Sequence, residues 1–492
     1  MKRLLTVLVA SLALVLTAGV GTAWAGGLPG GELPAGQSQS IDQSQNATNS
    51  IDQTANAQSV AVNASPNVAV ANSGSVDQSS NASSGAAAVN KNDSQQSNTL
   101  QNNAEQSQSG ASADDNKGSC CERTSKRHGS QTQNADQSQD AGNSISQNAH
   151  AKSVAVNASP NVAVLNKGGE CNCGGGVNQS SNASSAAIAA NKNNSTQSNT
   201  LQNNARQSQG GSNAGGGDPS QSIDQSQDAS NSIDQHAKAT SVAVNVSPNV
   251  AIANSGPVKQ DSNASSEAVA VNKNESQQSN TLQNDADQSQ TGTNDACGGR
   301  CEHGSAPQSQ DLRQSQNASN SISQNAESRS FALNASPNVA LLNGGHDKCG
   351  GCGNGDVQQS SDASSGAFAG NWNSSEQSND LGQDARQSQD RGSGSCCGKG
   401  GEQSQSIDQS QDATNSISQK AEAKSAAVNI SPNIAAFNRG SVEQSSGASS
   451  EAIAANRNDS TQSNNLWQSA DQQQRGGDDC GCCDECEGRC ED

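Results

Sequence analysis

The chain has 492 residues, a formal net charge of −20, aromatic content of 1% and no tyrosine. Large apolar residues this sparse exclude a conventional globular core of that length, because the available burial cannot offset chain entropy. An acidic chain without basic patches or aromatic platforms also excludes nucleic acid as a partner. What remains is disorder or a thin stacked architecture.

Residues 1–25 read as a secretory signal peptide. Lys2 and Arg3 precede an apolar run over residues 4–16, and Ala23-Trp24-Ala25 supplies small residues around a cleavage site. The run is short for a membrane span and no second one follows. The mature chain is therefore expected to be secreted, extracellular or at the cell surface, without a membrane span. Residues 26–36 form a Gly/Pro leader expected to be flexible.

The chain is organised around residues 59–72, SVAVNASPNVAVAN. Val60, Val62, Val68 and Val70 alternate with alanine or polar residues, the period that sends alternate strand side chains to one face. Ser65-Pro66-Asn67 between them is turn chemistry, so the stretch predicts two short strands around a tight reversal, a Val/Ala hairpin. It recurs with prolines at 66, 160, 248, 337 and 432, spacings of 94, 88, 89 and 95 residues. Five tandem units follow. Repeat 1 covers 37–108, repeat 2 130–209, repeat 3 220–290, repeat 4 307–389 and repeat 5 403–474. Between them lie Cys linkers at 109–129, 291–306 and 390–402 and a Gly linker at 210–219. An acidic, Cys-rich tail at 475–492 ends the chain.

Each unit opens with short phrases such as Ser40-Ile41-Asp42-Gln43-Ser44-Gln45-Asn46-Ala47 and Ser50-Ile51-Asp52-Gln53-Thr54-Ala55-Asn56-Ala57. A lone aliphatic precedes a Gln, and an Asn or Asp stands three residues further on. In stacked coils the aliphatics would fill a narrow interior and the amides would ladder along the stack. Asn90-Lys91-Asn92 recurs with Lys, Trp or Arg in the middle, which predicts an outward position at a bend. Leu100, Leu201, Leu282, Leu381 and Leu466 never vary, which predicts an inward one. The expected fold is all-β, a β-solenoid-like stack of short strands, several short coils per unit, with disordered Gly/Cys-rich linkers.

These phrases resemble the curlin-type repeats of bacterial functional amyloids: a Ser before an aliphatic, a Gln, then an Asn near an Ala. The family pattern has a glycine between Gln and Asn and a wider spacing, whereas Ser or Ala fills a shorter gap here. The resemblance implies a β-solenoid subunit that assembles into extracellular fibres, with self-association and contact with other surface or matrix components.

Fifteen cysteines lie outside the strand phrases. Cys120, Cys121, Cys297, Cys301, Cys396 and Cys397 sit in joints between repeats. Cys171, Cys173, Cys349 and Cys352 sit in insertions within repeats 2 and 4. These ten are disulfide or cross-link candidates, as loop cysteines of an exported protein usually are. Adjacent pairs such as Cys120-Cys121 are poorly placed to bond each other, which directs them to other clusters or other molecules. Cys480, Cys482, Cys483, Cys486 and Cys490 give the tail a thiolate density that alternatively suits Zn or Cu. No nucleotide-binding or hydrolase motif is present, and His128, His150, His236, His303 and His346 never share a place in the repeat. We therefore expect no cofactor and no enzyme, but a secreted structural protein of a matrix, coat or fibre, cross-linked by cysteines. The alternative is a metal-binding or adhesive cell-surface protein whose repeats are spacers.

Overall fold

The computed structural model describes residues 37–109, 131–166, 175–212, 219–293, 307–344, 355–391 and 402–475. Each repeat contributes three strands. The first gives β1 (Gln37–Asn63), β2 (Asn67–Val70) and β3 (Val76–Ser109). The second gives β4 (Gln131–Asn157), β5 (Asn161–Val164) and β6 (Val177–Ser212). Then follow β7 (Ser220–Asn245), β8 (Asn249–Ile252) and β9 (Val258–Thr293). The fourth gives β10 (Gln308–Asn334), β11 (Asn338–Leu341) and β12 (Val357–Arg391). The last gives β13 (Gln403–Asn429), β14 (Asn433–Ala436) and β15 (Val442–Arg475).

Corresponding strands pair in parallel and in register, giving three five-stranded sheets in which each repeat is one rung. Gln43, for instance, sits under Gln137, then Gln225, Gln314 and Gln409. The fold is thus an all-β, solenoid-like stack of five repeats. Within a rung the two long strands face each other through their side chains: Gln43 Nε2 donates to the Asn103 carbonyl at 2.9 Å and Gln53 Nε2 to that of Lys91 at 3.2 Å. The first β-sheet packs on the third, and the whole rung is a long, narrow arch. A 34-residue strand at about 3.3 Å per residue is about 110 Å long, while five rungs stack to only about 20 Å.

The strands are therefore longer than the repeated phrases suggest, and a unit supplies one rung, not several short coils. Proline is missing from all ten long strands, so no missing amide hydrogen breaks their ladders. The predicted hairpin is also corrected. β2 does not pack on β1; it lies against the start of β3, where Asn67 Nδ2 donates to the Ser79 carbonyl at 2.9 Å. The Ala64-Ser65-Pro66 step merely kinks the first limb. Proline lacks the amide hydrogen for one ladder bond, yet its carbonyl still accepts from the rung below: Asn67 N donates to Pro160 O at 2.9 Å.

The true reversal comes after β2. Ala71, Leu165, Ala253, Leu342 and Phe437 share one column and all have φ of 55–57°. The asparagine that follows each one locks the turn. Asn166, Asn254 and Asn343 each donate from Nδ2 to the Oδ1 of the next asparagine, reaching Asn438, at 2.8, 2.9 and 2.9 Å.

Side-chain parity decides the interior. Odd-numbered residues of β1 and even-numbered residues of β3 face inward, as do their counterparts above. Ile145, Ile233 and Ile322 form one buried column, and Leu201, Leu282 and Leu381 another beside Ala141, Ala229 and Ala318. Alanines fill the narrowest stretch. The invariant leucines thus point inward through the first four rungs, and Leu466 in the last rung is half exposed. The variable residue of the Asn-x-Asn phrase points outward as expected, but from mid-strand: Lys91 lies in the middle of β3, not at a bend.

Candidate assembly surface

The functional features grow from the amide columns. A glutamine pointing inward has no water to bond, and an unsatisfied buried amide costs about 1–3 kcal/mol. Stacking copies in register resolves this, since each side chain bonds its equivalent in the next rung. Gln225 Nε2 donates to Gln137 Oε1 at 2.9 Å and to the Asp285 carbonyl across the interior at 3.1 Å, and Gln314 donates to Gln225 in turn at 2.8 Å. Two asparagine columns from opposite limbs meet at the centre. Asn231 Nδ2 reaches Asn280 Oδ1 at 2.9 Å across the interior and Asn320 Oδ1 at 3.0 Å along the stack. Among the described residues only Ser84, Asn157, Ser159, Asn203 and Asp384 keep a buried side-chain atom without a partner.

The Gln-to-Asn spacing of three singled out in the sequence places the two amides on opposite faces. Gln43 is inside, whereas Asn46 and its counterparts Asp140, Asp228, Asn317 and Asp412 point outward. The second interior amide of that phrase is Gln45. The aliphatic two residues before Gln43, Ile41, shares its parity and points inward with it.

Outward columns carry the charge. Asp42, Asp136 and Asp224 stand in line below Arg313 and Asp408. Burial and then Asp136 raise the carboxyl of Asp224 above its ordinary range, and burial and then Asp140 do the same to Asp228. By contrast Glu105, Arg206, Asp287, Arg386 and Asp471 alternate in sign along one column, with Arg206 Nε 3.5 Å from Asp287. They line a shallow groove with Gln106, Gln207 and Gln288. His150 and His236 lie on neighbouring outward columns. Burial, Lys238, His236 and Lys152 together lower the proton affinity of His150.

The valines of the organising stretch face outward, because the alanines between them occupy the narrow interior beside Val76 and its counterparts. Val60 and Val62 are 69% and 65% exposed, and Leu342 and Phe437 extend this apolar strip at the reversal. The period-two pattern thus marks the residues that share a face, and the structure places the valine face outward.

All ten cross-link candidates and the five tail cysteines lie outside the described residues, as does the signal segment. The described residues bracketing them are informative. Ser109 and Gln131 stand at the open end of the arch, where Gln39 Nε2 reaches the Ser107 carbonyl at 3.4 Å. Asn166 and Gly344 stand at the reversal. Among the described residues no group of His, Cys, Asp or Glu is arranged to hold a metal ion.

The last feature is the pair of open edges. β1, β2 and β3 pair on one side only, and so do β13, β14 and β15. Such edges are templates for further strands. No protein-family model, curated protein or solved structure matches the chain.

Proposed function

We propose that the chain is a secreted structural subunit of an extracellular matrix, coat or fibre, consolidated by cysteine cross-links. The observation that carries this reading is the amide ladder. The column from Gln43 to Gln409 runs unbroken through the five rungs and stops at two open edges whose columns match those inside. The likeness to curlin-type repeats supports it, through the shared Ser-aliphatic-Gln phrase. Cysteines bracketed by stack residues at the open end and at the reversal suit bridges to other molecules, and the acidic charge slows premature association. Electron microscopy and thioflavin binding of the purified protein should reveal fibres, and a non-reducing gel should show multimers that reductant dissolves. A protein that stays a monomer in both assays refutes the reading.

Adhesion is a second reading, favoured by the exposed apolar strip. Patches of this kind mark interaction surfaces. Replacing Val156 and Val244 by serine should weaken retention on an apolar matrix without lowering β content.

A further inference from the structure

We propose that a second copy of this chain docks head to tail, its β1–β2–β3 edge on the β13–β14–β15 edge in the internal register, and that facing carboxylates make this joint conditional on acid or added salt. The inference rests on the structural-subunit reading and names both the partner and its control.

Three observations lead there. The first is continuity of sequence along the columns. Residues 37–45 and 403–411 are both QSQSIDQSQ. Carried past the last rung, the internal register sets Gln37 over Gln403, Asn67 over Asn433 and Val76 over Val442.

The second is ladder polarity. Glutamine columns donate toward the first rung: Gln137 to Gln43 at 2.9 Å, and so on up to Gln409 to Gln314 at 2.8 Å. Inward asparagine columns donate the other way: Asn49 to Asn143 at 3.0 Å, up to Asn320 to Asn415 at 2.9 Å. At the open edges this leaves Gln409 Oε1 and Asn49 Oδ1 without a donor among the described residues. In a head-to-tail joint Gln43 Nε2 of one copy meets Gln409 Oε1 of the other, and Asn415 Nδ2 meets Asn49 Oδ1. Two first rungs brought together with like columns aligned would set glutamine donor against donor and asparagine acceptor against acceptor. The joint is therefore heterologous, and heterologous joints that do not close make filaments.

The third is charge. The joint sets Asp42 against Asp408, Asp77 against Glu443 and Glu105 against Asp471. Inside the molecule these columns mostly avoid such contacts. Asn178 follows Asp77, and Gln358 Nε2 donates to Glu443 at 3.3 Å. Arg206 follows Glu105, and Arg386 precedes Asp471. Asp42 is followed by Asp136 and then Asp224, while Arg313 precedes Asp408. A fourth pair, Asp93 with Asp459, is offset by Lys91 and Arg457 two residues away, which also face each other. Like charges directly opposite on neighbouring strands are destabilising, and added salt or protonation removes the repulsion. Like pairs also occur inside, as Asp140 on Asp228 and Asp285 on Asp384. Every internal interface carries an opposite pair as well, Glu105–Arg206, Arg206–Asp287, Asp224–Arg313 and Arg386–Asp471 in turn, and the joint carries none.

The test uses the purified protein in reductant, so that cysteine bridges cannot contribute, followed by light scattering and negative-stain microscopy. Wild type should stay monomeric at neutral pH and low salt and form filaments at about pH 4, where carboxylates begin to protonate, or in about 0.5 M salt. The triple variant Asp42→Asn, Asp77→Asn, Glu105→Gln should form filaments at neutral pH and low salt, at a threshold concentration at least about tenfold lower than wild type. The reciprocal variant Asp408→Asn, Glu443→Gln, Asp471→Asn should behave alike, which guards against one set misfolding. Interior neutralisation, Asp136→Asn with Asp224→Asn, should leave the wild-type threshold in place. Equal assembly of wild type and both edge variants at neutral pH would overturn the charge control and leave the structural-subunit reading standing. Filaments from none of them, at any pH or salt, would overturn that reading itself.

Discussion

At the scale of single residues, burial here is mostly polar. Gln225 is fully buried and bonds along the stack and across it. Gln225→Ala leaves the Gln137 side-chain oxygen without its donor, removes the acceptor of the Gln314 amide and opens a cavity, which should cost about 3 kcal/mol. Ile233→Ala, in the buried isoleucine column, should cost a similar amount, about 2–4 kcal/mol. Comparable losses in thermal or denaturant unfolding would show that amides and aliphatics share the work, whereas a silent Gln225→Ala would contradict the ladder. The outward acids behave differently. The folded state holds the protons of Asp224 and Asp228 more tightly than the unfolded chain does, because burial and the neighbouring Asp136 and Asp140 raise both carboxyls. Their contribution is thus full in acid and is lost as pH rises through the raised folded values. Asp224→Asn with Asp228→Asn should raise the neutral-pH melting temperature and flatten its fall as pH rises above the ordinary aspartate range of about 4.

At the scale of elements, the sequence showed the strands, the repeat and the inward leucines, and it misplaced the turn. Ser65-Pro66-Asn67 carries the usual turn residues, but the backbone reverses at the column of Ala71, which no residue preference marks. L-residues pay for the left-handed region there, and the asparagine ladder at 166, 254, 343 and 438 holds them in it. Ala253→Gly should therefore stabilise by about 0.5–1 kcal/mol, after glycine's own entropy cost is deducted. Asn254→Ala should destabilise by about 1–3 kcal/mol through the orphaned ladder neighbours. Melting curves of the two variants moving in opposite directions would bear this out. Valine facing was equally hidden. Period two fixes which residues share a face, but only the width of the interior decides which face is buried. Parity also explains why a Gln and an Asn three apart cannot belong to one ladder.

At the scale of the molecule, five lean units hold a shape because each supplies the next with hydrogen-bond partners. Stability should then be close to a sum over rungs and their interfaces. Deleting one whole period, residues 219–306, brings rung 4 onto rung 2 with its glutamine and asparagine columns aligned. The shortened chain should still fold, with a lower melting temperature. The charge columns became visible only once the register was known, since no single copy shows that carboxylates at the two ends coincide.

The central claim is the in-register parallel stack. Ser138, Ser226 and Ser315 are outward and occupy one column, so neighbours stand about 4.8 Å apart. In a chain whose native cysteines are replaced by serine, nitroxide labels on Ser138→Cys, Ser226→Cys and Ser315→Cys should give a spin-exchange-narrowed, single-line spectrum. Three sharp, well-separated lines, those of labels that never meet, would contradict it.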